Sequence, residues 1–122
     1  MNVQKSNFEW ELILSKIGNA LSENIQLPIG VSYRIIKNKI RIKNAIEAYL
    51  ITKDGIINKY SDGRGYVSER EDMESFKKIK SEVDIISKEK TSVDIEMINI
   101  SDLGERELPL NLIAAIEFMI NI

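Results

Sequence analysis

Any chemistry in this chain has to be done without imidazole or thiol. Its 122 residues include no histidine and no cysteine, which excludes Ser-His and Cys-His mechanisms, imidazole and thiolate metal sites, disulfides and the usual proton shuttle near neutral pH. Carboxylates, amines, guanidinium groups, phenols and hydroxyls remain. Glu47, Asp54, Asp62 and Glu117 are the carboxylates that would have to pair as acid and base, and no spacing in the sequence brings two of them together. The D-x-[DN]-x-[DN]-G calcium loop, the G-x-x-x-x-G-K-[ST] phosphate loop and G-x-G-x-x-G are absent. The expectation is a protein that is not an enzyme and uses no cofactor or metal.

Two charged sets are the candidates for recognition instead. Glu69, Glu71, Asp72, Glu74, Asp94 and Glu96 form an acidic set suited to steering toward a basic protein, such as a bacterial toxin domain. Arg34, Lys37, Lys39, Arg41, Lys43 and Arg64 form the alternative, an anion-binding set. Residues 37–43 place lysine or arginine at every second position, with Asn38, Ile40 and Ile42 between them, and either Asn38-Lys39 is a turn dividing two short strands or the stretch is one strand. As a strand they would make a basic stripe about 20 Å long at ~3.3 Å per residue. Arg64 lies between Gly63 and Gly65, where backbone amides could approach an anion. The plainer uses are an edge strand guarded by lysine and an ordinary turn. Residues 1–61 carry a net charge of +4 and residues 62–122 one of −6. That polarity disfavours nucleic acid and suits a charged protein partner, unless the two halves attract each other within the fold.

The elements that must position these residues show different periods. Ser6-Asn7-Phe8-Glu9 is a capping box, so a helix starts near Asn7, with Trp10, Ile13, Leu14, Ile17, Ala20 and Leu21 on its apolar face. Gly18 inside it marks either a close approach of a sheet or a tolerated glycine. The helix ends between Asn24 and Pro28. From Ile29 to Asn44 the period is two, with Ile36, Ile40 and Ile42 opposite the basic residues. Ala45 to Ser61 has two apolar runs around Lys53-Asp54-Gly55, which predicts a central β-hairpin. A second capping box, Ser68 to Glu71, opens a helix with the stripe Met73, Phe76, Ile79, Val83 and Ile86. Val93, Ile95 and Met97 alternate as a strand beside the hairpin, its phase slipping at Ile98. Pro109 begins a C-terminal helix over 110–121 that is apolar almost all round, so it is either buried or packed on a second copy.

This pattern predicts an α+β domain spanning residues 1–122, with a mainly antiparallel sheet of four or five strands. The N-terminal, middle and C-terminal helices would pack mostly on one face of that sheet. The N-terminus has no apolar core of signal-peptide length, and the longest apolar run is too short to span a bilayer, so a cytoplasmic protein is expected. The functional expectation is a non-catalytic protein-binding module of the immunity or inhibitor kind, bacterial or phage in character. It would neutralise a toxin or other enzyme by steric occlusion through a charged surface. The alternatives are an acidic secretion-chaperone-like homodimer through helix 110–121, and a protein binding nucleic acid or a small anionic ligand through strand 37–43 and loop 63–65.

Overall fold

The structure is a computed structural model that describes residues 1–22, 25–104 and 107–121. Its longest feature is a helical run that begins after Pro28. Helix α2 spans Ile29–Ala45 and α3 spans Glu47–Ser61, with only Ile46 between them. Hydrogen bonding continues across the joint, from the Ile46 amide to the Ile42 carbonyl (3.1 Å) and from the Leu50 amide to the Ile46 carbonyl (3.0 Å). Val31, Ile35, Asn38, Ile42, Ile46 and Tyr49 are all buried, and their 4-3-4-4-3 spacing is the seam of a helix facing a core.

This run corrects the predicted sheet. There is no strand over 37–43 and no hairpin over 45–61. Among the described residues the fold is α+β with five α-helices and only two small two-stranded sheets. The apparent period of two arose because Ile36 and Ile40 lie on the outer side of α2 while Ile42 lies on the inner side. Asp54-Gly55 sits inside α3, and Gly55 does not take the positive φ a hairpin turn would require.

Strand β1 (Asn2–Ser6) leads directly into α1 (Asn7–Leu21). The capping box is formed as expected: the Ser6 hydroxyl accepts from the Glu9 amide at 3.2 Å, and the Glu9 carboxylate accepts from the Ser6 amide at 3.3 Å. Nothing lies within 4 Å of a Cβ built on Gly18, so that glycine is tolerated and does not mark a close approach. Asn24, expected near the end of this helix, lies outside the described residues, and Pro28 immediately precedes α2.

Helix α4 (Met73–Ser87) starts four residues later than a Ser68 capping box would place it. Asp72 is the N-cap, its carboxylate accepting from the Ser75 amide at 3.0 Å, while residues 69–71 form a separate turn held by the Ser68 carbonyl. Strand β2 (Lys90–Asp94) then pairs antiparallel with β1, from Asn2 opposite Asp94 to Ser6 opposite Lys90, rather than with a hairpin. Strand β3 (Ile98–Asn99) passes into a 3-10 turn where the sequence phase slips.

Helix α5 (Leu110–Ile116) is shorter than the expected 110–121. It continues as a 3-10 turn and ends in β4 (Ile120–Asn121), parallel to β3. Leu112, Ala115, Ile116 and Met119 enter the core, where α5 packs on α1 and α3 packs on α4. Trp10 joins these layers: its ring is fully buried, donates to the Thr91 carbonyl at 2.8 Å and meets Phe118 edge-on at 5.9 Å. No described helix is long and apolar enough to cross a membrane.

Candidate binding surface on helix α2

Four sides of α2 can be distinguished, because a 3.6-residue turn sorts its sequence into four different environments. The inner side carries the buried seam, in which Asn38 is the polar member. Its side chain donates to the Glu96 carbonyl at 2.9 Å and accepts from the Glu96 amide at 2.8 Å, so one amide replaces a strand partner for the peptide groups of Glu96. It also lies 3.3 Å from the Met119 sulfur.

Arg34, Lys37 and Arg41 form one flank, spaced i, i+3 and i+7. Arg34 Nη1 lies 3.1 Å from Asp102, Lys37 Nζ 2.9 Å from Glu96, and Arg41 Nη1 3.8 Å from Asp94. The Lys37 contact is an ion pair whose angles fall short of an aligned hydrogen bond. The order 34, 37, 41 against 102, 96, 94 shows the acidic segment running antiparallel to the helix. The basic and acidic halves of the sequence thus meet inside one molecule at this flank. The Lys37 ammonium beside Glu96 holds that carboxyl below its ordinary value of 4.5. Each exposed pair contributes little alone. Together they align the 94–102 segment with α2.

Lys39 and Lys43 lie on the opposite flank and have no ion pair among the described residues. Between the two flanks is the outer side, formed by Ile29, Tyr33, Ile36 and Ile40, which are 89%, 63%, 48% and 54% exposed. Their 4-3-4 spacing repeats that of the inner seam two residues out of phase, about 200° around the helix at 100° per residue. Helix α2 therefore has two apolar seams on opposite sides. Only one is covered.

The predicted sites fall as follows. In the acidic set, Glu71 approaches Arg64 at 3.9 Å, Asp72 caps α4, Glu74 pairs with Lys78 at 3.3 Å one turn on, and Glu69 is exposed. Asp94 and Glu96 lie instead at the α2 flank, Asp94 also meeting the N-terminal ammonium at 3.1 Å. In the anion-binding set, Arg34, Lys37 and Arg41 face carboxylates. The amides of Gly63, Arg64 and Gly65 donate to the Asn58 carbonyl, the Ser61 carbonyl and the Ser61 hydroxyl, leaving none of the three directed at an anion. Glu47, Asp54, Asp62 and Glu117 have no side-chain hydrogen bond or ion pair among the described residues.

Sequence reasoning missed one tight cluster of titratable groups. Glu11 on α1 accepts from the Tyr49 hydroxyl at 2.7 Å and from Lys53 at 2.8 and 3.0 Å. Burial, and then the hydrogen bond to Glu11, push the Tyr49 phenol well above its ordinary value of 10. The cluster ties α3 to α1. A turn read at Lys53-Asp54-Gly55 concealed it, whereas helical spacing of Tyr49 and Lys53 would have exposed it. One surface hollow of ≈ 430 Å³ is lined by Ser6, Phe8, Asp84, Ser87, Lys88 and Lys90 without convergent carboxylates. No cluster of three or more potential metal-ligating side chains occurs among the described residues. No protein-family model, no curated protein and no solved structure matches the chain.

Proposed function

We propose that the chain is a non-catalytic protein-binding module of the immunity or inhibitor kind, which neutralises a toxin or other enzyme by covering a surface that enzyme needs. One observation carries this reading: the uncovered apolar seam of α2. Ile29, Tyr33, Ile36 and Ile40 together expose roughly 500 Å² along three turns, within the range at which a contiguous patch on a small protein is commonly an interaction site. Isolated exposed isoleucines would need no explanation. Four in register on one helix, with a second register-matched seam already buried, do. The absence of imidazole and thiol supports the same reading by narrowing the available catalytic chemistry.

This reading puts α2 ahead of the acidic set, because Asp94, Glu96, Asp72 and Glu74 already have partners within the chain. The test is affinity capture with the wild-type chain and with the double variant Ile36→Asp, Ile40→Asp, both checked for helix content. The expected result is a stoichiometric partner retained by the wild type and lost by the variant. Recovery of no such partner at low or moderate salt, or retention by the variant, would refute the assignment.

A further inference from the structure

We infer that the occupant of the outer side of α2 is an amphipathic helix from a partner protein, with an apolar stripe bordered by Asp and Glu. This rests on the protein-binding reading above and specifies the chemistry of what binds. The spacing supplies the shape. Ile29, Tyr33, Ile36 and Ile40 follow the 4-3-4 rhythm by which two helices interlock side by side, over about 16 Å at 1.5 Å per residue. The stripe is one side chain wide, because Lys37 borders it on one side and Lys39 and Lys43 border it on the other. A single packed helix matches that width. A broad flat surface or a groove between two helices would press apolar groups onto these lysines.

Charge identifies the partner. Arg34 and Arg41 are turned toward carboxylates of the same chain, and Lys37 is shared between Glu96 and the Tyr33 ring, 5.4 Å from its centroid. Lys39 and Lys43 form no ion pair among the described residues. A helix carrying carboxylates beside its apolar stripe would meet Lys39 and Lys43 on one side and reinforce Lys37 on the other. A second copy of this chain fits less well. In antiparallel pairing the Lys39 and Lys43 flank meets itself, and in parallel pairing it meets the Lys37 flank, so like charges face each other in both arrangements.

The experiment uses two labelled helical peptides of about 18 residues, enough for five turns. Both have leucine at the 4-3-4 positions; one has glutamate and the other lysine at the bordering positions. Each is titrated with the full chain by fluorescence anisotropy. The glutamate peptide is expected to bind at least about tenfold tighter than the lysine peptide, a difference that shrinks with added salt. The variant Lys39→Glu, Lys43→Glu leaves the apolar seam intact and should reverse the preference. The variant Ile36→Asp, Ile40→Asp should abolish binding of both. Equal binding of the two peptides, no binding by either at about 100 µM, or dimerisation through this face in sedimentation overturns the inference. A captured partner that depends on Ile36 and Ile40 while the peptides fail leaves the protein-binding reading standing and removes only the acidic-helix occupant. Capture that does not depend on the face removes the broader reading.

Discussion

Replacing Asn38 by leucine probes the contact that holds the acidic segment against α2. The side chain is fully buried and makes both hydrogen bonds available to a side-chain amide facing the peptide groups of Glu96. Two such bonds contribute about 1 kcal/mol each, and stranding a buried amide and carbonyl adds about 1–3 kcal/mol. Leucine restores part of this by burying apolar surface, so a net loss of about 2–4 kcal/mol is expected. Against a total of roughly 6–18 kcal/mol for a chain of this length, that is a large fraction. Urea unfolding followed by Trp10, the only tryptophan and fully buried, should show the midpoint falling by roughly 1–2 M with an unchanged slope. Hydrogen exchange should show the Glu96 amide losing protection before the rest of the core.

The aspartate variant discriminates further. Asn38→Asp can still accept from the Glu96 amide, but it cannot donate to the carbonyl while ionised, so it should be the worse variant at neutral pH and recover on acidification. If Asn38→Leu costs under about 1 kcal/mol, or the Glu96 amide exchanges as in the wild type, then this amide does not anchor the segment.

Two further outcomes follow from the helical reading of 29–61 and from its ion pairs. Gly55→Ala should stabilise the chain by up to about 1 kcal/mol, because Gly55 is helical and a Cβ there meets nothing within 4 Å; a destabilisation in thermal melts would instead indicate a hairpin turn at that glycine. Glu96 should titrate below 4.5 because of Lys37. Its contribution is therefore complete above 4.5 and lost as pH falls through the lowered value. NMR titration should show that midpoint, and Lys37→Ala should return it toward 4.5; an unchanged midpoint would deny the pair.

Some local signals matched the structure, while the Asp54-Gly55 hairpin, the strand over 37–43 and the Ser68 cap did not. The start of α1 was legible because Ser6 and Glu9 satisfy each other's neighbourhood within four residues. The apolar face of α1 was legible because six residues keep one period. The half-buried stripe of α4 was also visible, though its cap was placed at Ser68 when Asp72 competes for the same role three residues before Ser75. Strand β1 was not legible. Val3 is its single half-buried apolar residue, and its partner lies some ninety positions away.

The sequence by itself determined that the chain has no imidazole or thiol side chain, where its first helix begins and that it carries opposed charge in its two halves. Only the tertiary structure decided that residues 29–61 are helical. Their isoleucines and lysines satisfy a period of two and a period of 3.6 over the same stretch, and Asn38 interrupts the helical seam with a polar residue. Burying that seam against β2 and the 94–98 segment, with the Asn38 amide pairing Glu96, selects the helix. The same choice turns three basic side chains inward to carboxylates and leaves Ile29, Tyr33, Ile36 and Ile40 uncovered. No reading of local periodicity contains that surface, because it exists only once the opposite side of the helix has found its cover.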